Sequence, residues 1–186
     1  VERIYEDKAK SKEVVSIDKL LILLRDNPNL TQEEKELYLG YIEYIDVNKE
    51  YLDAEHLYST FENIFCVFNP EVKPEYPLAT WNGRNVTIYG SNSLEKEKYG
   101  LYVHELGHSI GVYDSDGMSY GIAIEEGYSG LQKIEYDYKG IDDPFVIYME
   151  QINYLKMMFE ILGTVPFTQF HGDGNVFHVI DALKKI

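Results

Sequence analysis

With 186 residues, 45% hydrophobic side chains and a formal charge of −15, the chain has the size and apolar content of one domain with a buried core. That charge argues against a nucleic-acid backbone or an anionic lipid surface as partner and leaves basic, polar or neutral substrates open. No apolar run approaches the roughly 20 residues that span a bilayer, and a single cysteine, Cys66, rules out both an intrachain disulfide and a cysteine-based zinc site.

The first dozen residues are charged and read as a loose lead-in; without an initiator Met or a basic-then-apolar leader, Val1 reads as a mature terminus or a boundary. Ser16 to Arg25 predicts a short helix capped by Ser16, with Ile17, Leu20, Leu21 and Leu24 at helical spacing. Asn27-Pro28-Asn29 ends it. Thr31-Gln32-Glu33-Glu34 is a capping box that predicts a helix to about Asn48, and a further helix is expected from Ala54 to Asn63. Ile64 to Phe68 is a short run of aromatic and branched residues and predicts a buried strand. Pro70, Pro74 and Pro77 mark an irregular connection. Asn82-Gly83 signals a hairpin turn before a strand from Asn85 to Tyr89, so a small antiparallel sheet is expected here.

Helical spacing then runs from about Leu94 to Gly111, followed by a turn-rich loop to Gly121 and a helix from Ile122 to Tyr138. Pro144 opens a long helix through Leu162, with Gly163 and Pro166 as stop signals, and a last helix covers Val176 to Lys185. The expected organisation is one domain over 1–186. Residues 1–63 are helical, 64–111 hold the sheet and a central helix, and 112–186 hold the remaining helices. Seventeen tyrosines are read mostly as amphipathic packing around the core, with a few free to line a groove.

The chemistry concentrates in His104-Glu105-Leu106-Gly107-His108. Two histidines four apart on a helix point to one side, as a metal held by neutral imidazoles requires. Glu105, turned by about 100°, stands beside the open coordination position, where a base for a metal-bound water belongs. Val103, Leu106 and Ile110 form an opposite, apolar face, which argues against a surface helix with two solvated histidines. Gly107 and Gly111 lie within about 60° of His104, so another backbone can approach on the metal side. Downstream, Ala123, Gly127 and Gly130 form a stripe of small residues. Glu126 lies about 60° from Ala123, and Glu125 about 160°. If the two small stripes meet, Glu126 becomes the third ligand; otherwise Glu125 stays open for that place, and one of the pair is only a solvated carboxylate in a first helical turn. His56 and His178 sit in ordinary helical contexts, and His171 reads as a loop residue.

These residues resemble the gluzincin zinc peptidases, in which a His-Glu-x-x-His helix is followed by a glutamate on a second helix. Thermolysin-like members have Asn-Glu-x-x-Ser-Asp there. This chain has Glu125-Glu126-Gly127-Tyr128-Ser129-Gly130, which keeps the serine but has Gly130 in place of the final acid. The segment from about Trp81 to Gly163 is more similar to compact minigluzincin domains of Gram-positive bacteria, with Tyr148-Met149-Glu150 leading to Ile161-Leu162-Gly163. The resemblance implies an α+β, zincin-like fold with an edge strand near Asn85 to Tyr89, and one catalytic Zn2+ held by His104, His108 and Glu126. It implies Glu105 as general base and Tyr148 as the oxyanion donor, with Tyr120 and His171 as the other candidates. A secreted or cell-surface, monomeric endopeptidase acting on peptide or protein substrates is expected. Two rivals stand beside it: a zinc-binding surface module that has lost hydrolysis, for which Gly130 is the support, and an interaction domain without metal.

Overall fold

A computed structural model describes residues 13–72, 78–95, 98–112, 124, 126–130 and 149–186. Four short helices come first. α1 (Ile17–Asp26) starts where the Ser16 hydroxyl accepts from Lys19 N, and α2 (Gln32–Leu39) is closed by the expected capping box between Thr31 and Glu34. α3 (Ile42–Asn48) follows, and then α4 (Ala54–Asn63), where Asp53 accepts from His56 N.

The single helix expected from Thr31 to Asn48 is thus two. Gly40 N and Tyr41 N each bond three residues back, to Leu37 O and Tyr38 O, so the chain overwinds between α2 and α3. A three-residue turn puts positions i and i+3 in line. Tyr38, Tyr41 and Tyr44 are spaced in that way, and all three point inward with at most 3% of their surface exposed. The tighter winding keeps this row of large rings on one face, which α-helical winding would have fanned out.

The sheet holds β1 (Phe65–Asn69), β2 (Ala79–Trp81) and β3 (Asn85–Tyr89), in the order β1-β3-β2. It is mixed, not antiparallel: β1 runs parallel to β3 with Phe65 opposite Asn85, whereas β2 runs antiparallel with Trp81 opposite Val86. Asn85 to Tyr89 is accordingly the central strand, and β2 takes the edge. The alternation of Val86 and Ile88, both fully buried, reveals which face of β3 packs inward. It carries no information about which strand lies on either side. The hairpin turn is also one residue later than Asn82-Gly83 suggests. Asn82 and Asn85 close it, with Asn82 Oδ1 accepting from the backbone of Arg84 and Asn85, and Gly83, at φ +83°, is its first central residue.

Beneath the sheet runs α5 (Tyr99–Ile110), in contact with β2, β3, α2 and α4 and buried all round from Tyr102 onward. A short helical segment at 126–130, α6, follows. α7 (Met149–Leu162) ends at Gly163, whose φ of +75° and N–H to Phe159 O are the expected stop. Pro166 does more than follow that stop. It sits in the first turn of α8 (Val165–Asp173), where a missing N–H costs nothing, and so a helix occupies the stretch read as loop around His171. α9 (Phe177–Leu183) completes the α+β architecture. Among the described residues no helix is long and apolar enough to cross a membrane.

Candidate metal centre

α5 is held in place largely by tyrosine and histidine side chains from the N-terminal helices. Tyr41 donates to Val103 O at 2.7 Å, the Tyr38 hydroxyl lies 3.3 Å from Ser109 Oγ, and His56 Nε2 meets Ser109 O at 3.0 Å. The last contact satisfies a carbonyl in the final turn of the helix, which has no intrahelical partner. His56 is therefore structural, as its sequence context suggests, and burial lowers its pKa below the ordinary histidine value. The helix is fixed on its core side, and its other side is free to carry chemistry.

On that other side three donor atoms converge. His104 Nε2 lies 3.0 Å from Glu126 Oε2, His108 Nε2 lies 3.3 Å from the same oxygen, and the two Nε2 atoms are 3.2 Å apart. Ligands held tetrahedrally at about 2.0–2.1 Å from one ion stand about 3.3–3.4 Å from each other. The observed triangle is within a few tenths of an ångström of that. The imidazoles are crossed at 90°, and His104 and His108 are 8% and 5% exposed. Two lone pairs this close repel unless a proton or a cation lies between them, and two neutral nitrogens with one carboxylate suit a borderline divalent cation. His104, His108 and Glu126 thus form a group that could hold a metal ion, with one side of the Glu126 carboxylate still reachable from solvent.

Electrostatics separate the two carboxylates. Burial opposes the charge of Glu126, but where protons rather than a metal fill the triangle, hydrogen bonds from His104 and His108 outweigh it and hold its carboxyl down at about 2. Burial pushes Glu105 up to about 7; the charge of His108 pulls it down, that of Glu126 pushes it up, and the nearby backbone amide of Trp81 pulls it down. One carboxylate is a fixed anion, and the other sits near neutrality, where proton exchange is easiest. Trp81 ends β2, so the edge strand runs close to Glu105.

Two of the glycines read as close-approach points show what they admit. A Cβ on Gly111 would lie 2.6 Å from the ring of His171, and one on Gly127 would lie 2.8 Å from Leu155 Cδ1 and 3.1 Å from the backbone of Gln151. Gly111 therefore admits α8 and Gly127 admits α7. Because Glu126 and Gly127 are about 100° apart on α6, seating Gly127 on α7 turns Glu126 towards the histidines.

His171 lies on α8, 1% exposed, with its ring 4.9 Å from Tyr128 and 6.2 Å from Tyr44, and its carbonyl accepts from Val112 N. It braces the chain leaving α5. Tyr148, Tyr120 and Glu125 lie outside the described residues. Ser129, noted in the sequence as the serine kept from the Asn-Glu-x-x-Ser-Asp pattern but given no role there, is fully buried, with Oγ 3.1 Å from His108 Nδ1. Its signal was present, since a residue three after Glu126 shares its helical face.

No protein-family model matches the chain, no curated protein matches it in sequence, and no solved structure matches it in fold. The donor geometry is what carries the functional reading.

Proposed function

We propose that the chain is a zinc-dependent endopeptidase of the gluzincin type, with His104, His108 and Glu126 as the metal ligands and Glu105 as general base. The carrying observation is the triangle of Nε2, Nε2 and Oε2 atoms, 3.0 to 3.3 Å on a side, with Glu105 on the next position of the same helix. Zinc in such a site supplies a Lewis acid and lowers the pKa of a bound water to about 7. The residues do the rest. Glu105 takes the proton from the attacking water and passes it to the departing amine. β2, at the edge of the sheet and next to α5, offers main-chain groups to an extended peptide, which favours a substrate recognised by its backbone. Tyr148 is the proposed oxyanion donor, on the strength of the Tyr-x-Glu resemblance, and a peptidase of this kind acts at or outside the cell surface.

The rival is a zinc-binding module that no longer hydrolyses peptides, favoured by Gly130, which brings no carboxylate to the position where thermolysin-like enzymes have one. Metal analysis of protein purified without added zinc, followed by peptide-library cleavage with Glu105→Gln alongside, separates the readings. A wild type that carries zinc and cleaves at least a hundredfold faster than the variant supports the peptidase. Zinc with no cleavage above the variant leaves the module, and no metal removes both.

A further inference from the structure

His108 can ligate a metal through Nε2 only if that nitrogen keeps its lone pair. A neutral imidazole carries a single N–H, which must then sit on Nδ1. Ser129 Oγ lies 3.1 Å from Nδ1, on a side chain with no exposed surface. Ser129 stands three residues after Glu126, so one helical face presents a carboxylate to the metal side of His108 and a hydroxyl to its rear. We propose that Ser129 is the positioning residue of this centre: it accepts the Nδ1–H of His108, holds the ring in the metal-binding tautomer and fixes its rotation.

The proposal rests on the metal-centre reading above and extends it. Gly130 brings no carboxylate, and the hydroxyl of Ser129 is the oxygen that α6 turns to the rear of a ligand histidine. A serine does so without adding a charge, so Glu126 remains the single anion among the named residues that touch the ligand triangle from α6. α6 thereby becomes one device that supplies a ligand and orients another.

The test is metal affinity, read without activity. Zinc binding to the full chain is measured by competition with a chromophoric chelator for wild type, Ser129→Ala and Ser129→Thr, with the cobalt(II) absorption spectrum of each and the melting temperature of each metal-free protein. Loss of an orienting partner of a metal-bound histidine weakens affinity by about 10–100-fold. Ser129→Ala should fall in that range, with an altered cobalt spectrum and an unchanged metal-free melting temperature, and Ser129→Thr, which keeps the hydroxyl, should recover most of the affinity. Alanine binding zinc as tightly as wild type overturns the proposal, as does an alanine variant whose metal-free form is destabilised in proportion to its lost affinity. A wild type that binds no zinc overturns this and the metal reading together. A wild type that binds zinc but cleaves nothing overturns only the peptidase.

Discussion

Glu105 and Glu126 are both carboxylates within one small site, yet their surroundings drive them apart, one to about 7 and the other to about 2. With protons rather than a metal in the triangle, hydrogen bonds from the two histidines make the difference, since burial disfavours the charge of each carboxylate. The division of labour should be visible in variants. Glu105→Gln keeps the size of the side chain and removes its basicity, and a general base is worth about 10²–10⁴ in rate. That loss is expected in kcat with bound zinc still near one per chain. His104→Ala should instead remove the metal, as read by elemental analysis. His56 gives a separate pH signature. Its folded pKa lies below the unfolded value of about 6.5 because burial disfavours its charged form. The unfolded chain therefore binds more protons in that range, and stability rises with pH. The contribution is complete above about 6.5 and is lost as pH falls from there towards the lower folded value. In urea titrations across that window, His56→Gln should flatten the slope. A variant with the wild-type slope would assign the acid sensitivity elsewhere.

Among the elements, α5 and α6 make the site, and the parts that set their spacing are remote from the donor atoms. Gly127 lets α6 approach α7 closely, with the neighbouring Glu126 turned towards α5. A methyl group here would meet Leu155 Cδ1 at 2.8 Å and the Gln151 backbone at 3.1 Å, and overpacking of this sort costs about 1–3 kcal/mol. Gly127→Ala should lower stability by that amount and weaken zinc binding too, because moving α6 moves a ligand. Chelator competition on the folded variant measures the second effect. On the core side, the hydroxyl of Tyr41 on Val103 O is a buried bond reaching from the overwound turn between α2 and α3 to α5. Tyr41→Phe should cost about 0.5–1.5 kcal/mol in denaturant unfolding and leave zinc affinity within severalfold of wild type, since the other α5 contacts remain.

At the scale of the molecule, the proposed metal would be linked to the fold. The ligands come from helices separated in sequence and converge only in the folded chain, so zinc at a free concentration one hundred times its Kd should stabilise it by about 2.7 kcal/mol. A chelator should lower the melting temperature of wild type and leave His108→Ala unchanged. The charge of −15 adds a second molecular property, a negative field that attracts cationic peptides and is screened by salt. Cleavage of a lysine-rich peptide is expected to slow more with rising ionic strength than cleavage of a neutral one.

What the sequence by itself determined is local. The Ser16 cap, the Thr31–Glu34 box, the limits of α4 and the stop at Gly163 all depend on hydrogen bonds and backbone torsions set within a few residues, and they were legible. So was the shared face of His104 and His108, which follows from helical periodicity. Tertiary structure decided the rest. The alternating pattern of Asn85 to Tyr89 is the same in a central and an edge strand, and only the arrival of β1 on one side and β2 on the other makes β3 central. Gly127 is a small residue in any helix, and only the position of α7 shows what it admits. The opening feature of the site, the His-Glu-Leu-Gly-His helix, was plain in the sequence. That Glu126 closes a 3 Å triangle with it and Ser129 stands behind His108 depends on how two helices meet, through contacts between residues about twenty positions or more apart, which no local pattern records.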